Sequence, residues 1–395
     1  MFSQRTNWSF DTNPLMARLK AIRDQGEKIL DLTESNPTAC GFKYPTEKIL
    51  TALANPKNMS YEPCPRGSLA SREAIVSYYQ KKGFLVNPEK VFFTASTSEA
   101  YAFLFRLLLN PGEKILVPRP SYPLFEFLAQ LNDVEMDFYS LVYDGKWSID
   151  LKALSQAVTS QHKAVLLVNP NNPTGSYIKE KELKELNAIC QRHSLAIISD
   201  EVFSDYRFGQ DKKIVLSLAG NAPVLTFSLS GASKSLGLPQ MKIGWVIASG
   251  PEELVKPALE RMEIILDTYL SVNTPVLNSL PAWLKLQPSI QQEISGHLLE
   301  NRDYLREKSS SIPSCQCLHV EGGWYVILRL PALKNEEAWT FEFLEKDRVF
   351  VHPGYFFDFE EEPFIVLSLL VSPKVFQEGV VRILSRLEET AEETA

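Results

Sequence analysis

Short apolar runs alternate with longer amphipathic stretches through the first two thirds of the chain. Each run is four to six residues long, the length of a strand that is buried on both faces of a sheet. Helical spacing fills the stretches between the runs, as in Ser98–Leu109 and Glu180–His193. The seven predicted strands are Val91–Thr94, Ile115–Pro118, Val134–Tyr139, Ala164–Val168, Leu195–Ser199, Val224–Ser228 and Ile243–Ala248. The alternation predicts an α/β fold in which helices cover both faces of a mostly parallel, seven-stranded sheet.

The pattern changes in the last third of the chain. A long helix and two strands are predicted there, at Pro281–Ser310, Gly323–Leu330 and Phe364–Leu370. We therefore expect a large domain over residues 45–267 and a smaller α+β domain that combines residues 1–44 with residues 268–395. Parallel sheets bind ligands at the carboxyl ends of their strands, so the turns after the seven strands are where chemistry is expected.

Charge and composition exclude several classes of function. The chain carries 41 basic and 48 acidic residues, a net charge of −7, and no basic block, so neither nucleic acid nor an anionic membrane surface is an expected partner. The longest apolar runs are far shorter than a membrane-spanning helix, and the first residues do not resemble a secretory signal. Five scattered cysteines fit reduced thiols better than a disulfide framework. We expect a cytoplasmic protein with no metal site.

Three turns after predicted strands carry polar residues. The segment Asn169–Gly175 reads NPNNPTG, in which two prolines fix the backbone and the asparagine side chains can bond their own turn. Asp200 follows a strand directly, and Lys234 lies among small hydroxyl residues shortly after another, where a lysine is a candidate Schiff-base nucleophile. Taken alone, the first turn fits a rigid loop equally well, and Asp200 fits a helix N-cap. The dinucleotide fingerprint and the P-loop motif are both absent from the sequence.

In this order and at this spacing, the three motifs resemble the class I/II aminotransferases of pyridoxal-phosphate fold type I, the aspartate aminotransferase-like proteins. The resemblance runs from about Ser35 to Ser368. It also includes Tyr61–Gly67, Thr94–Ala100, Pro120–Pro123 and Val351–Gly354. It implies a three-layer large domain, pyridoxal 5′-phosphate as the cofactor, and transfer of the amino group of an L-amino acid to a 2-oxo acid. The implied route is a Schiff base on Lys234 followed by pyridoxamine phosphate.

The resemblance also implies a role for individual residues around the cofactor ring. Lys234 would form the Schiff base and then move the Cα proton as general base and acid. Asp200 would keep the pyridine nitrogen protonated, which makes the ring an electron sink. Asn172 would bond the ring hydroxyl oxygen, and Tyr122 would stack on the ring. Ser35 and Asn172 would contact the substrate.

A second implied group holds the phosphate. The turn Ser96–Thr97 at the start of a helix offers backbone donors, with Ser230, Ser233 and Lys242 nearby in the motif. Tyr61 matches a tyrosine that reaches the phosphate of the neighbouring subunit. A homodimer with shared active sites is therefore implied.

Two cofactor positions depart from the family pattern. Lys242 stands where most members have arginine, so the positive charge is kept, but the guanidinium that could donate two parallel hydrogen bonds is lost. Phe203 stands where most members have a tyrosine that donates to the cofactor's phenolate, and Tyr206 is a candidate substitute. Loss of that donor is expected to raise the pKa of the Schiff base.

A third departure concerns the substrate. Val366 stands where the family carries an arginine that grips the substrate carboxylate. Either another residue binds the carboxylate, or the substrate is not an ordinary α-amino acid. The best replacement is Arg329, because strand alternation puts it on one face with Tyr325. An arginine at the end of the strand that reaches solvent or an ion pair fits the sequence equally well. Further candidates are Lys43, Arg66 and Arg119. His352 could also face the site, although a packed loop histidine is the favoured interpretation.

Two alternatives to transamination stay open. A decarboxylase or a β-eliminating lyase would use the same lysine and electron sink but break a different bond. A cofactor-binding protein with little turnover is the remaining alternative, and the presence of Lys234, Asp200 and Asn172 argues against it.

Overall fold

The computed structural model describes residues 1–312, 315–360 and 363–394. The helices are α1 (Pro14–Asp24), α2 (Thr46–Leu53), α3 (Leu69–Lys81), α4 (Thr97–Leu108), α5 (Leu124–Leu131), α6 (Leu151–Ala157), α7 (Glu180–His193), α8 (Ala232–Ser235), α9 (Glu252–Tyr269), α10 (Thr274–Ser309), α11 (Glu336–Lys346) and α12 (Pro373–Thr394). The strands are β1 (Leu30–Asp31), β2 (Val91–Thr94), β3 (Lys114–Arg119), β4 (Glu135–Tyr143), β5 (Trp147–Ile149), β6 (His162–Val168), β7 (Ala196–Asp200), β8 (Thr226–Gly231), β9 (Gly244–Ser249), β10 (Gln316–Cys317), β11 (Tyr325–Arg329), β12 (Val349–Phe350), β13 (His352–Pro353) and β14 (Phe364–Ser368).

The largest sheet has the strand order β2-β9-β8-β7-β6-β3-β4-β5. Strands β8, β7, β6, β3 and β4 pair in parallel, whereas β9 runs antiparallel to both of its neighbours. All seven predicted strands are confirmed, with ends that move by at most four residues. The eighth strand, β5, lies at the edge of the sheet and was not predicted, because only three residues pair with β4 and their burial is mixed. The α/β expectation is confirmed.

Strand alternation divides the core around this sheet into two sides. Ile115 and Val117 of β3 pack with α4, α5 and α9, whereas Leu116 between them packs with α6 and α7. The sheet therefore lies between two helical layers, and its strands are apolar on both faces. Helices α3 and α10 complete the second side over β2 and β9.

The last third of the chain forms a second sheet, antiparallel, in the order β10-β11-β14-β13. Strand β1 from the N-terminal region pairs in parallel with β12, so the chain's beginning packs against its last third. Helix α10 begins at Thr274 rather than at the predicted Pro281, because Asn273 caps it and two prolines, Pro281 and Pro288, lie inside it. The domain boundaries at 44/45 and 267/268 stay predictions.

Candidate active site

Lys234 lies in the short helix α8 directly after β8, at the carboxyl end of the parallel strands. A hydrogen bond of 2.6 Å from the Tyr206 hydroxyl to the Lys234 carbonyl oxygen holds this turn. The Lys234 Nζ lies 4.7 Å from the ring centre of Trp324 and 5.4 Å from that of Phe203. The amine is therefore held in an aromatic, largely dry environment. Tyr206, the candidate replacement for a phenolic donor at position 203, uses its hydroxyl on the Lys234 backbone instead.

Asp200, at the end of β7, is the carboxylate that acts on Lys234. Burial lowers the pKa of Lys234 to about 8, and the negative charge of Asp200 opposes that shift. Burial likewise raises the pKa of Asp200. Hydrogen bonds from the Tyr101 hydroxyl (2.7 Å) and from the Val202 amide (3.1 Å) act in the opposite direction and lower it. Tyr101 was not predicted as a site residue. It lies in the predicted helix Ser98–Leu109, but only the fold brings its hydroxyl to Asp200 at the end of β7.

Asn172 lies in the turn between β6 and α7, and its side chain is buried. The turn is fixed from within, because Asn171 Oδ1 accepts a hydrogen bond from the Thr174 hydroxyl (2.9 Å). At Gly175 the φ angle is +67°, and an added Cβ would lie 2.2 Å from Val320 Cγ2. Asn172 Oδ1 has no hydrogen-bond partner within the described part of the chain, so a rigid loop presents an unsatisfied polar atom.

The predicted phosphate residues gather around the paired strands β8 and β9. Thr94 pairs with Gly244, and Gly244 pairs with Gly231, so the turn Ser96–Thr97 lies beside the end of β8. An added Cβ on Gly244 would lie 3.2 Å from the Thr97 amide nitrogen, which shows how closely that turn approaches β9.

Ser96 Oγ caps α4 by accepting a 3.1 Å hydrogen bond from the Glu99 amide. Ser230 Oγ is buried without a partner among the residues described here. Ser233 is half-buried, and Lys242 is exposed with a φ of +51°. Ser96, Thr97 and Ser230 thus meet at one edge, where the helix start offers amide donors.

Tyr122, Tyr325 and Ser35 form a second cluster at the same edge of the sheet. Burial raises the pKa of Tyr122, and the Asp200 carboxylate adds to that shift. Burial raises the pKa of Tyr325 to about 12, while a hydrogen bond with the Ser35 side chain opposes the rise and Tyr122 and Glu34 reinforce it. Ser35 therefore lies with Tyr325 and Tyr122. Tyr325 was noticed in the sequence only as a neighbour of Arg329.

Arg329 does not join this cluster, and its proposed role needs correction. It lies four residues beyond Tyr325 on β11, roughly 13 Å along the strand. Its Nη1 donates to Gln316 Oε1 (3.2 Å), and its guanidinium lies 5.2 Å from the Phe364 ring. Alternation correctly put both side chains on one face, but it could not show that they are at opposite ends of the strand. Val366 pairs with both neighbouring strands and is buried among apolar side chains.

Two further candidates, Tyr61 and His352, have no contact with Lys234 among those of the described residues. Tyr61 is 72% exposed and borders a surface depression of about 550 Å³ with Cys64 and Leu270. His352 packs against the rings of Phe350, Phe356 and Phe357, and burial lowers its pKa to about 4. Its environment is that of a packed, neutral histidine.

A comparison with known protein families shows which family the chain belongs to. The family described as aminotransferase class I and II matches residues 27–383. The chain belongs to this family. As a member it is an enzyme, a pyridoxal-phosphate-dependent aminotransferase, and its cofactor is pyridoxal 5′-phosphate. The comparisons do not favour the decarboxylase or lyase alternative.

Individual aminotransferases resemble the chain over nearly its whole length. Glutamate-pyruvate aminotransferase AlaA of Haemophilus influenzae is 28% identical over 386 residues, which cover 95% of each chain. Tyrosine aminotransferase of Mus musculus is 26% identical and covers 99% of this chain and 87% of its own. The structure of alanine aminotransferase from Pyrococcus furiosus superposes with a TM-score of 0.89 at 24% identity, covering 98% of this chain and all of its own. The likeness to that structure shows a shared fold.

The donors around Lys234 fit the aminotransferase cofactor. A phosphorylated pyridine aldehyde needs a reactive amine, a carboxylate for its ring nitrogen, a polar atom for its ring hydroxyl and amide donors for its phosphate. Lys234, Asp200, Asn172 and the Ser96–Thr97 turn supply these groups at one edge of the sheet. Asn172 Oδ1 and Ser230 Oγ have no hydrogen-bond partner among the described residues, as expected of atoms that would contact such a group.

None of the helices in the described part of the chain could span a membrane.

Proposed function

We propose that this aminotransferase works through Lys234, with Asp200 as the partner of the cofactor's pyridine nitrogen. When bound, the cofactor supplies an electron sink for negative charge at the substrate Cα. Lys234 Nζ would take the proton from that carbon as general base and, as general acid, deliver it to the carbon that carried the cofactor's aldehyde. The observation that carries the proposal is that Lys234 directly follows β8 and Asp200 ends the paired strand β7, so the amine and the carboxylate lie at the same edge of the sheet. The lowered Lys234 pKa of about 8 supports it, because an amine close to its pKa both accepts and donates a proton.

Asp200 is proposed to stay ionised so that it can hold a proton on the pyridine nitrogen. The Tyr101 hydroxyl and the Val202 amide both donate to its carboxylate, and both hydrogen bonds favour the charged form. Asn172 is proposed to bond the ring hydroxyl oxygen and the substrate, and Tyr122 to cover one face of the ring. Ser35 is proposed to contact the substrate from beside Tyr325.

The phosphate is proposed to bind at the start of α4. The Ser96 and Thr97 amides, the hydroxyls of Ser230 and Ser233, and the Lys242 ammonium would supply donors and charge. The helix start favours an anion because its amides and its dipole both point there. Because position 242 is lysine and not arginine, the backbone amides would be the main donors that fix the orientation of the phosphate.

The substrates are proposed to be an L-amino acid and a 2-oxo acid of the kind named in the relatives, glutamate and pyruvate among them. The test is to incubate the holoenzyme with glutamate and pyruvate and to measure 2-oxoglutarate and alanine together. Equal amounts of both products support transamination. Release of carbon dioxide, or of ammonia with an oxo acid, would instead assign a decarboxylase or lyase.

Borohydride reduction followed by peptide mass spectrometry tests the lysine itself. The cofactor mass is expected on the peptide that contains Lys234. In Lys234→Ala, the label should be lost and amino-group transfer should fall by several orders of magnitude. Labelling of another lysine in the unchanged enzyme would contradict the assignment.

A homodimer with shared active sites is also proposed. Exposed apolar side chains line the depression that contains Tyr61 (72%), including Leu69 (51%) and Leu270 (58%). A second copy that covers them would bring Tyr61 to the neighbouring phosphate site. Mixed dimers of Lys234→Ala and Tyr61→Phe subunits test this, because one intact site per dimer is expected only if the sites are shared. The cytoplasm is the proposed compartment, which cell fractionation checks.

A further inference from the structure

A cavity of about 480 Å³ lies between α5 and the strands β3 and β4, and Tyr122 forms part of its wall. It is separate from the donors around Lys234 but shares Tyr122 with the cluster that contains Tyr325 and Ser35. Apolar side chains such as Val117, Met136 and Phe138 form much of the lining. Arg119 and Ser121, on either side of Pro120, are its polar members. The proposed role of Tyr122 makes this cavity an immediate neighbour of the reacting centre.

Two buried polar atoms in this lining lack hydrogen-bond partners, counting the described residues only. They are Arg119 Nε and Ser121 Oγ. Ser121 is only 4% exposed. Burying a donor without a partner is unfavourable, and more so for a charged group. Both residues also line the cavity, so a ligand bound there that accepts hydrogen bonds would give these two donors partners.

The Arg119 guanidinium is held in position but is under-used. It stacks 4.0 Å from the ring centre of Phe138, another lining residue. Its ion pair is with Glu360 at 3.5 Å, a carboxylate side chain that is 61% exposed. Such a long, solvent-screened pair contributes little to stability. The guanidinium thus retains the capacity to bind a second anion.

The chemistry of this pair of donors fits a carboxylate. A guanidinium offers two parallel N–H groups that match the two carboxylate oxygens, and a serine hydroxyl supplies a further donor. The acidic residues of the lining, Glu126 and Asp358, are both exposed, where water and salt screen their charge. The apolar remainder of the cavity can take a hydrocarbon chain.

Other cations that the sequence offered are already engaged or distant. Arg66 pairs with Glu263 and Glu89 at the surface. Arg329 bonds Gln316 at the far end of β11. Lys43 is exposed and lies at the turn that bonds Glu293. Arg119 alone among these four combines a buried, unpartnered donor with a cavity beside Tyr122, as far as the described residues go.

We propose that Arg119, assisted by Ser121, binds a carboxylate group of the substrate in this cavity. The inference rests on the proposed function, because it takes Tyr122 to lie against the cofactor. The carboxylate comes either from the α-carbon or from the far end of a dicarboxylic amino acid. Both share the same recognition chemistry, and the experiment separates them.

The test measures carboxylate binding without turnover. Propanoate and glutarate, which lack an amino group, are titrated into the holoenzyme by calorimetry, for the unchanged protein and for Arg119→Gln. A loss of affinity of roughly tenfold or more is expected, because a charge-assisted bidentate pair disappears. Weaker binding of both ligands assigns the α-carboxylate, and weaker binding of glutarate alone assigns the distal one. Unchanged binding of both overturns the proposal.

A matched variant controls for the loss of a stacked arginine. Arg302 lies 4.7 Å from the Phe208 ring and pairs with Asp303, far along the chain in α10. Arg302→Gln should leave both affinities unchanged. If Arg119→Gln does not fold, Arg119→Lys and Ser121→Ala are measured instead. Each should lower the affinity for the same ligand, by a smaller factor.

Steady-state kinetics provides a second readout. In Arg119→Gln the KM for the amino acid should rise while kcat changes much less, because the reacting groups are untouched. A fall in kcat with unchanged KM would overturn the proposal. If the unchanged enzyme binds carboxylates through Arg119 but transfers no amino group, the proposed function fails while the binding site stands.

Discussion

The hydroxyl of Tyr101 donates a 2.7 Å hydrogen bond to Oδ2 of Asp200, and both side chains are buried. The bond favours the ionised carboxylate against the desolvation that raises the Asp200 pKa. Helix α4 thus contributes twice to the site, once through its capped start and once through this hydroxyl one turn later.

Removal of this hydroxyl should weaken cofactor binding. In Tyr101→Phe the pKa of Asp200 rises further, so less of the carboxylate is ionised and the proposed partner of the pyridine nitrogen is lost. The affinity of the apo-protein for pyridoxal phosphate should fall roughly tenfold or more, the usual worth of a hydrogen bond to a charged group. Fluorescence titration measures it. Tyr139→Phe is the control, since its buried hydroxyl bonds the Leu166 carbonyl (2.8 Å), and equal effects in the two variants would contradict the prediction.

The Lys234 amine should titrate near neutral pH in the protein without cofactor. Its pKa is lowered to about 8 by burial, so the neutral, reactive fraction rises as the pH increases through that value. Competitive acylation read by mass spectrometry should give a midpoint near pH 8. In Asp200→Asn the midpoint should move lower, because the carboxylate that favours the ammonium form is gone. Asp133→Asn removes the same charge at the surface, where it pairs with Arg5, and should leave the midpoint in place.

Gly175→Ala should strongly destabilise the fold. The new Cβ would lie 2.2 Å from Val320 Cγ2 and 2.4 Å from the Gly322 carbonyl oxygen, at a φ of +67°. We expect a loss of about 2 kcal/mol or more in the free energy of unfolding, from strain and overpacking together. Gly145→Ala is the control, because its φ is +69° but nothing lies within 4 Å, so it reports the backbone strain alone. Urea denaturation of both variants gives the comparison, and equal losses would refute the role of packing.

Arg329→Ala should leave the KM for amino acids unchanged. Its guanidinium bonds Gln316 and lies roughly 13 Å along β11 from Tyr325. Steady-state kinetics with glutamate and with alanine measures this. A large rise in KM for either substrate would return Arg329 to the site.

The sequence predicted the elements and the family well because both depend on local patterns. The seven apolar strands and the motifs around Lys234, Asp200 and Asn172 are continuous stretches, and a parallel sheet brings the ends of its strands together. The start of α10 was misplaced, since Pro281 suggests a helix beginning and only the Asn273 cap shows where the helix starts. The short strand β5 left almost no periodic signal.

Contacts between distant segments could not be predicted in this way. Tyr101 and Asp200 are 99 residues apart, and Ser35 meets Tyr325 across most of the chain. Alternation along β11 gives the face of Arg329 but not its distance from the reacting centre. The unpartnered atoms of Arg119 and Ser121 depend on burial by α5, β3 and β4, which no linear pattern reports.

Helix α10 joins the two hydrophobic cores in a single rod. Its first part, through Leu284, packs with the core of the large sheet, and its second part, from Ile290, packs with the core that includes β11 and β14. Pro288 lies between them and cannot donate to the carbonyl of Leu284, so the rod is softest where it passes from one core to the other. Because this one helix belongs to both cores, any change in the angle between the two sheets has to be accommodated within α10.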